Sequence, residues 1–169
     1  MALVNESALA QLESVLRSLY SMGRDHALEV ACGQCHVTRS LLVKHFAKID
    51  LMDRSPEAIM HAEQLRAESK RIGAVSKATM QEFKPTAKYN CIVLRYCIGY
   101  LNDVEAVDFL SRLGQSLVST PASQPSHGAE LTHTQDRQPS YLLVQDQAVP
   151  ENDDEFLEDG QRVRKESSL

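Results

Sequence analysis

The segment Leu28-Glu-Val-Ala-Cys-Gly-Gln-Cys-His-Val-Thr38 limits the folds open to this chain more than any other stretch. It joins a short apolar run, His26 to Ala31, to a helical pattern, Val37 to Phe46, through a bend of small residues, Cys32 to His36. A strand that turns at once into a helix is the opening of a strand–helix–strand unit, and such units build parallel sheets. The rest of the chain repeats the theme. Asn5 caps an expected N-terminal helix (within 1–24) in which Leu9, Leu12, Leu16 and Leu19 recur at helical spacing until Gly23. Ile49 to Met52 reads as a second strand closed by Asp53. Ser55-Pro56-Glu57 then opens a helix to about Arg71, with a capping hydroxyl, a proline at the first helical position, and an acid at the positive dipole end. Gly73 is the expected terminator.

Further strands are expected at Ala74 to Ala78, Tyr89 to Leu94 and Tyr141 to Val144. Asn102 with Glu105 predicts a capping box for a helix running to Leu117. The stretch 119–140, with Pro121, Pro125 and Pro139 among many polar residues, reads as a long surface loop. The stretch 150–169 turns acidic at Glu151, Asp153, Asp154, Glu155, Glu158 and Asp159. The expectation is one α/β domain over 1–169: a mainly parallel sheet with helices on both faces and a ligand site at the carboxyl ends of its strands.

The bend itself admits several chemistries. Small residues at Ala31, Gly33 and Cys35 let a nucleotide-type ligand approach the backbone, and Asp53, about twenty residues on, offers a carboxylate to a ribose diol. Cys32-Gly-Gln-Cys35 opening a helix is also where a thioredoxin-like dithiol sits. With His36 the string matches a c-type haem attachment, although no export signal precedes it. The plainest alternative makes both cysteines packing residues. Asp53 could equally serve only as the entry to the next helix, His36 as a solvated helix start, and Met80 as core packing.

The net charge of −5 and a pI near 5.7 argue against a nucleic-acid backbone as partner and suit a cationic peptide. No apolar run approaches the ~20 residues that span a bilayer, so no membrane partner is expected and the expected location is the cytoplasm or nucleus, with reduced thiols. No metal centre is expected; His127 and His133 lack a second ligand pair.

The later segments carry a resemblance. Tyr89-Asn-Cys-Ile-Val-Leu-Arg-Tyr-Cys-Ile-Gly-Tyr-Leu-Asn-Asp103 resembles the fourth strand and following loop of the protein N-terminal α-amino methyltransferases. Thr79-Met-Gln-Glu-Phe83 is similar to that family's adenine-contacting segment, Leu142-Leu-Val-Gln-Asp-Gln147 to its fifth strand, and Glu166-Ser-Ser-Leu169 to the start of its substrate loop. The resemblance implies a Rossmann-like, class I methyltransferase fold, S-adenosylmethionine as cofactor, and Xaa-Pro-Lys/Arg protein N-termini as substrate. It also implies further C-terminal strands, which are expected to be missing from this chain.

Carried over by position, the resemblance assigns the glycine-loop contacts to Ala31 and Gly33, with Cys35 where the family has a third Gly. It assigns the cofactor carboxylate to His36 in place of an Arg, and the ribose to Asp53, followed by Arg54 and Ser55. Adenine contacts fall on Met80 and Gln81, and a cofactor-facing Gln becomes Arg95. Tyr96 stands for the channel aromatic, Tyr100 for a His near the reacting amine, Gln147 for a substrate-holding Asn, and Glu166 for the acid that takes the amine proton. These departures leave a second reading open: a methyltransferase-like fold kept as a structural or regulatory subunit of a partner. A dithiol oxidoreductase is the third.

Overall fold

The computed structural model describes residues 6–119 and 138–146. Helix α1 spans Glu6–Ser18, strand β1 His26–Val30, helix α2 Val43–His45, strand β2 Lys48–Asp53 and helix α3 Pro56–Glu68. Strand β3 spans Ile72–Lys77, strand β4 Cys91–Arg95, helix α4 Asp103–Gln115 and strand β5 Tyr141–Gln145. The five strands form one sheet in the order β3-β2-β1-β4-β5, every pair parallel. The order reverses direction beside β1, which is where ligands enter such sheets.

The central strands β1, β2 and β4 are buried on both faces because helices cover both, while the edge strands β3 and β5 are only partly buried. Alternate residues part to opposite sides. Ala27, Ile49, Leu51, Cys91 and Val93 pack with Leu12 and Leu16 of α1, Leu41, Leu42, and Ala62 and Leu65 of α3. Leu28, Val30, Met52, Ile92 and Leu94 pack with Ala106, Phe109 and Leu113 of α4.

The local start signals hold. Ser55 accepts from the Ala58 N–H with Pro56 next in line, and Asn102 and Glu105 form the reciprocal capping box, at 3.0 and 3.1 Å. Several boundaries differ from expectation. The helix after the bend is not continuous: a π-helical segment, Thr38–Leu42, precedes the short α2. Helix α1 stops at Ser18 rather than at Gly23. Helix α3 ends at Glu68, with Ser69 already extended, and Gly73 lies inside β3. A Cβ at Gly73 would collide with the side chains of Asp50 and Lys48, so this glycine serves close packing between strands rather than a helix terminus.

At the amino ends of the strands Asp50, 4% exposed, accepts from the Ala74 N–H at 2.8 Å and from the Tyr89 hydroxyl at 3.1 Å, and sits 3.0 Å from His26 Nε2. Burial opposes ionisation of Asp50, yet His26, the Ala74 N–H and Tyr89 together hold its carboxyl below the usual range. The expected helix cap Asn5, nearly all of the 119–140 loop and the acidic 150–169 stretch lie outside the described residues. Among the described residues no helix is long and apolar enough to cross a membrane.

Candidate functional site

Beyond Val30 the chain turns through three residues in the left-handed region: Ala31 (φ 54), Gly33 (φ 51) and Cys35 (φ 58). Glycine takes this conformation freely, whereas alanine and cysteine adopt it at a cost of order 1–2 kcal/mol each. The surroundings enforce it. Cys32 N–H donates to the Met52 carbonyl at 3.1 Å, and Cys35 N–H closes back on the Cys32 carbonyl at 2.7 Å. Gly33 N–H donates to Asp53 Oδ2 at 2.9 Å, and Ser55 N–H donates to Asp53 Oδ1 at 2.8 Å. Asp53 thus stitches the bend to the end of β2.

Under the bend lies Glu29, 5% exposed, whose carboxylate accepts from the N–H and hydroxyl of Thr38. Burial pushes its pKa up from 4.5 to about 7, against the lowering effect of Thr38. The sequence reading did not single out Glu29. Its signal was an acid inside an otherwise apolar strand.

These elements frame a cleft of about 280 Å³ at the carboxyl ends of the strands. Eight of the residues singled out from the sequence line it: Ala31, Asp53, Arg54, Met80, Gln81, Arg95, Tyr96 and Tyr100. Met52, Ala78, Thr79, Cys97 and Leu101 complete the wall and were missed, although Thr79, Cys97 and Leu101 fall inside the segments that carried the resemblance.

The 79–82 segment is held from behind by α4, where Arg112 donates to the Gln81 carbonyl at 2.7 Å and the Met80 carbonyl at 3.0 Å. Tyr96, at φ 52, donates its N–H to the Gln145 carbonyl at 2.8 Å. Tyr100, 53% exposed, stands at the lip.

Other expectations are placed elsewhere. Gly33 contributes its N–H to Asp53 without lining the cleft, and Ser55 caps α3. His36 is exposed, does not line the cleft, and has Nε2 2.9 Å from Gln34 Oε1. Gln147 and Glu166 lie outside the described residues.

The dithiol and haem readings of the bend fail on its geometry. Cys32 and Cys35 are free thiols, 5% and 0% exposed. The hydrogen bond between them and their burial push the Cys32 thiol far up, the reverse of what a reactive thiolate or an attachment site needs.

The cleft can therefore hold an elongated polar–apolar ligand. Its features are a carboxylate at one edge, Met52, Met80 and Leu101 as apolar wall, and the cations of Arg54 and Arg95.

Comparison with known proteins agrees with this geometry. The model of a family described as AdoMet dependent proline di-methyltransferase matches residues 5–121. N-terminal Xaa-Pro-Lys N-methyltransferase 1 of Xenopus tropicalis is 34% identical over 97 residues, 56% of this chain and 43% of that protein. Alpha N-terminal protein methyltransferase 1 of Drosophila melanogaster is 28% identical over 106 residues, 60% of this chain and 38% of that one. The chain thus spans about two fifths of the length of these relatives. Among solved structures, a SAM-dependent methyltransferase from Leishmania major superposes with a TM-score of 0.63 at 26% identity, covering 68% of this chain and 46% of that one. An N-methyltransferase from Bradyrhizobium japonicum bound to S-adenosyl-L-homocysteine superposes at 0.55 with 20% identity, covering 64% and 56%, a likeness of fold alone.

Proposed function

The chain belongs to the AdoMet-dependent proline di-methyltransferase family, and on that premise we propose that it transfers methyl groups from S-adenosylmethionine to the α-amine of Xaa-Pro-Lys/Arg protein N-termini. The observation that carries the proposal is the cleft at the ends of β1, β2 and β4, with the Asp53 carboxylate on one edge and a left-handed bend beside it.

The residues present fit an adenosyl ligand. Asp53 spends one acceptor position on each oxygen holding Gly33 and Ser55, and each oxygen keeps a further lone pair for a ribose hydroxyl. Ala31 brings backbone rather than a bulky side chain to the cleft. Met80 and Gln81, fixed by Arg112, form the wall for the base. When bound, the cofactor would supply an electrophilic methyl on a sulfonium, and its sulfur would leave as a neutral thioether when the amine attacks.

Such a displacement depends on positioning and on a neutral amine. Tyr96 and Tyr100 provide the aromatic side of the approach. By the resemblance, Gln147 holds the substrate's first carbonyl and Glu166 takes the amine proton. A protein or peptide N-terminus with a basic residue is the partner.

The test is calorimetric titration of the protein with S-adenosylmethionine, followed by mass spectrometry of a Xaa-Pro-Lys peptide incubated with both. Binding and methyl addition are expected in the native chain, loss of binding in Asp53→Ala, and retained binding with lost turnover in Glu166→Gln. A folded protein that binds no cofactor overturns the proposal.

A further inference from the structure

Arg95 makes an unusual set of contacts for a cation in a cleft. Its Nε donates to Gln145 Oε1 at 2.8 Å, and its guanidinium lies over the Tyr96 ring at 4.9 Å. Arg95 lines the cleft, and its positive charge acts on the buried Glu29 carboxylate, lowering the pKa of that acid against the effect of burial. Gln145 is itself held, its Nε2 donating to the Ala8 carbonyl of α1 at 3.2 Å. The guanidinium fork is therefore oriented by Gln145 and Tyr96 at the wall of the cleft, and such a fork is suited to bidentate capture of a carboxylate.

The register places that fork relative to Asp53. Met52 pairs with Val30, and Val30 pairs with Leu94. The next residues, Asp53, Ala31 and Arg95, therefore lie in line across three adjacent strands. Asp53 and Arg95 are two strand spacings apart, roughly 10 Å. A ligand whose ribose meets Asp53 and which crosses the backbone at Ala31 brings its far arm to Arg95. The resemblance gave the role of meeting that arm's carboxylate to His36, but His36 faces Gln34 outside the cleft.

Resting on the adenosyl-binding reading above, we propose that Arg95 binds the amino-acid carboxylate of the cofactor in place of His36, and that Gln145 is its positioning residue, tying this contact to α1. A desolvated charge-assisted pair of this kind is worth about tenfold or more in affinity.

The experiment compares binding of S-adenosylmethionine and decarboxylated S-adenosylmethionine, which differ only in that carboxylate, to the full chain by calorimetry. The native protein is expected to bind the first about tenfold or more tightly than the second. Arg95→Gln is expected to abolish the gap while leaving the affinity for the decarboxylated ligand within about twofold, which also reports that the variant is folded. Gln145→Ala narrows the gap, and His36→Ala leaves it intact. A native protein that binds both ligands with no gap, a gap that survives Arg95→Gln, or a gap removed by His36→Ala overturns the inference and leaves the cofactor assignment standing. A native protein that binds neither ligand overturns both.

Discussion

Glu29 shows how one side chain sets a condition on the whole bend. It is 5% exposed, and its only described hydrogen-bond donors are the N–H and hydroxyl of Thr38. Folding raises its pKa from 4.5 to about 7, because burial penalises the charged form. The folded state thus holds this proton more tightly than the unfolded chain. The stability contributed is complete below pH 4.5 and is lost as pH rises through about 7. A shift of that size corresponds to on the order of 3 kcal/mol. In urea unfolding at about pH 5 and about pH 8, the native protein is expected to lose much more stability between the two than Glu29→Gln, whose amide does not titrate. Equal pH dependence in the two proteins contradicts the assignment. Ala31 offers a second test at the same scale. Its φ of 54 lies where glycine is unstrained, so Ala31→Gly is expected to raise unfolding stability by about 0.5 kcal/mol, relief of strain outweighing the added chain entropy. A loss of stability of that size would show that the methyl group packs more usefully than the backbone is strained.

At the scale of the elements, what could be read from the sequence was what is local. The capping box at Asn102 and Glu105 and the Ser55-Pro56 start are encoded within a few residues, and both helices begin where those residues place them. Asn102→Ala is expected to cost about 1 kcal/mol in thermal or urea unfolding, the usual worth of such a cap, and a negligible effect would mean that α4 is held by packing alone. Part of the cleft was legible through the resemblance, since Met80 and Gln81, and Arg95, Tyr96 and Tyr100, lie on two short segments that carry it. The rest depended on neighbours distant in sequence. Gly73 looked like a helix terminator, but its constraint comes from Asp50 and Lys48 on the adjacent strand. The resemblance gave His36 the cofactor carboxylate, while in the structure its exposed imidazole has Nε2 2.9 Å from Gln34 Oε1. Gly73→Ala is therefore expected to destabilise the protein well beyond a helix-end substitution, by about 2 kcal/mol or more, because β2 and β3 must separate or Asp50 must give up the Ala74 N–H. An effect near zero would return Gly73 to an ordinary surface role.

Across the whole molecule the strand order does what no single segment can. Placing β1 between β2 and β4 brings Asp53, Ala31 and Arg95, which are far apart in the chain, to one level above the sheet. Beneath that level the two apolar clusters lie on opposite faces, so the short segments that line the cleft are anchored at the ends of packed strands. A ligand bound there contacts the ends of three strands at once and is bound only by the folded state, so its binding free energy adds to stability. With S-adenosylhomocysteine at about 100 times its dissociation constant the gain is about 2.7 kcal/mol, a rise in Tm of several degrees for a domain of this size. Asp53→Ala is expected to lose that rise for a second reason besides the missing ribose partner: it also releases the Gly33 and Ser55 N–H groups that fix the bend. Its Tm without ligand should therefore fall too. A variant whose Tm without ligand is unchanged while the ligand-induced rise disappears would show that Asp53 serves the ligand and not the bend. Loss of both would show that one carboxylate joins the architecture of the sheet to the chemistry above it.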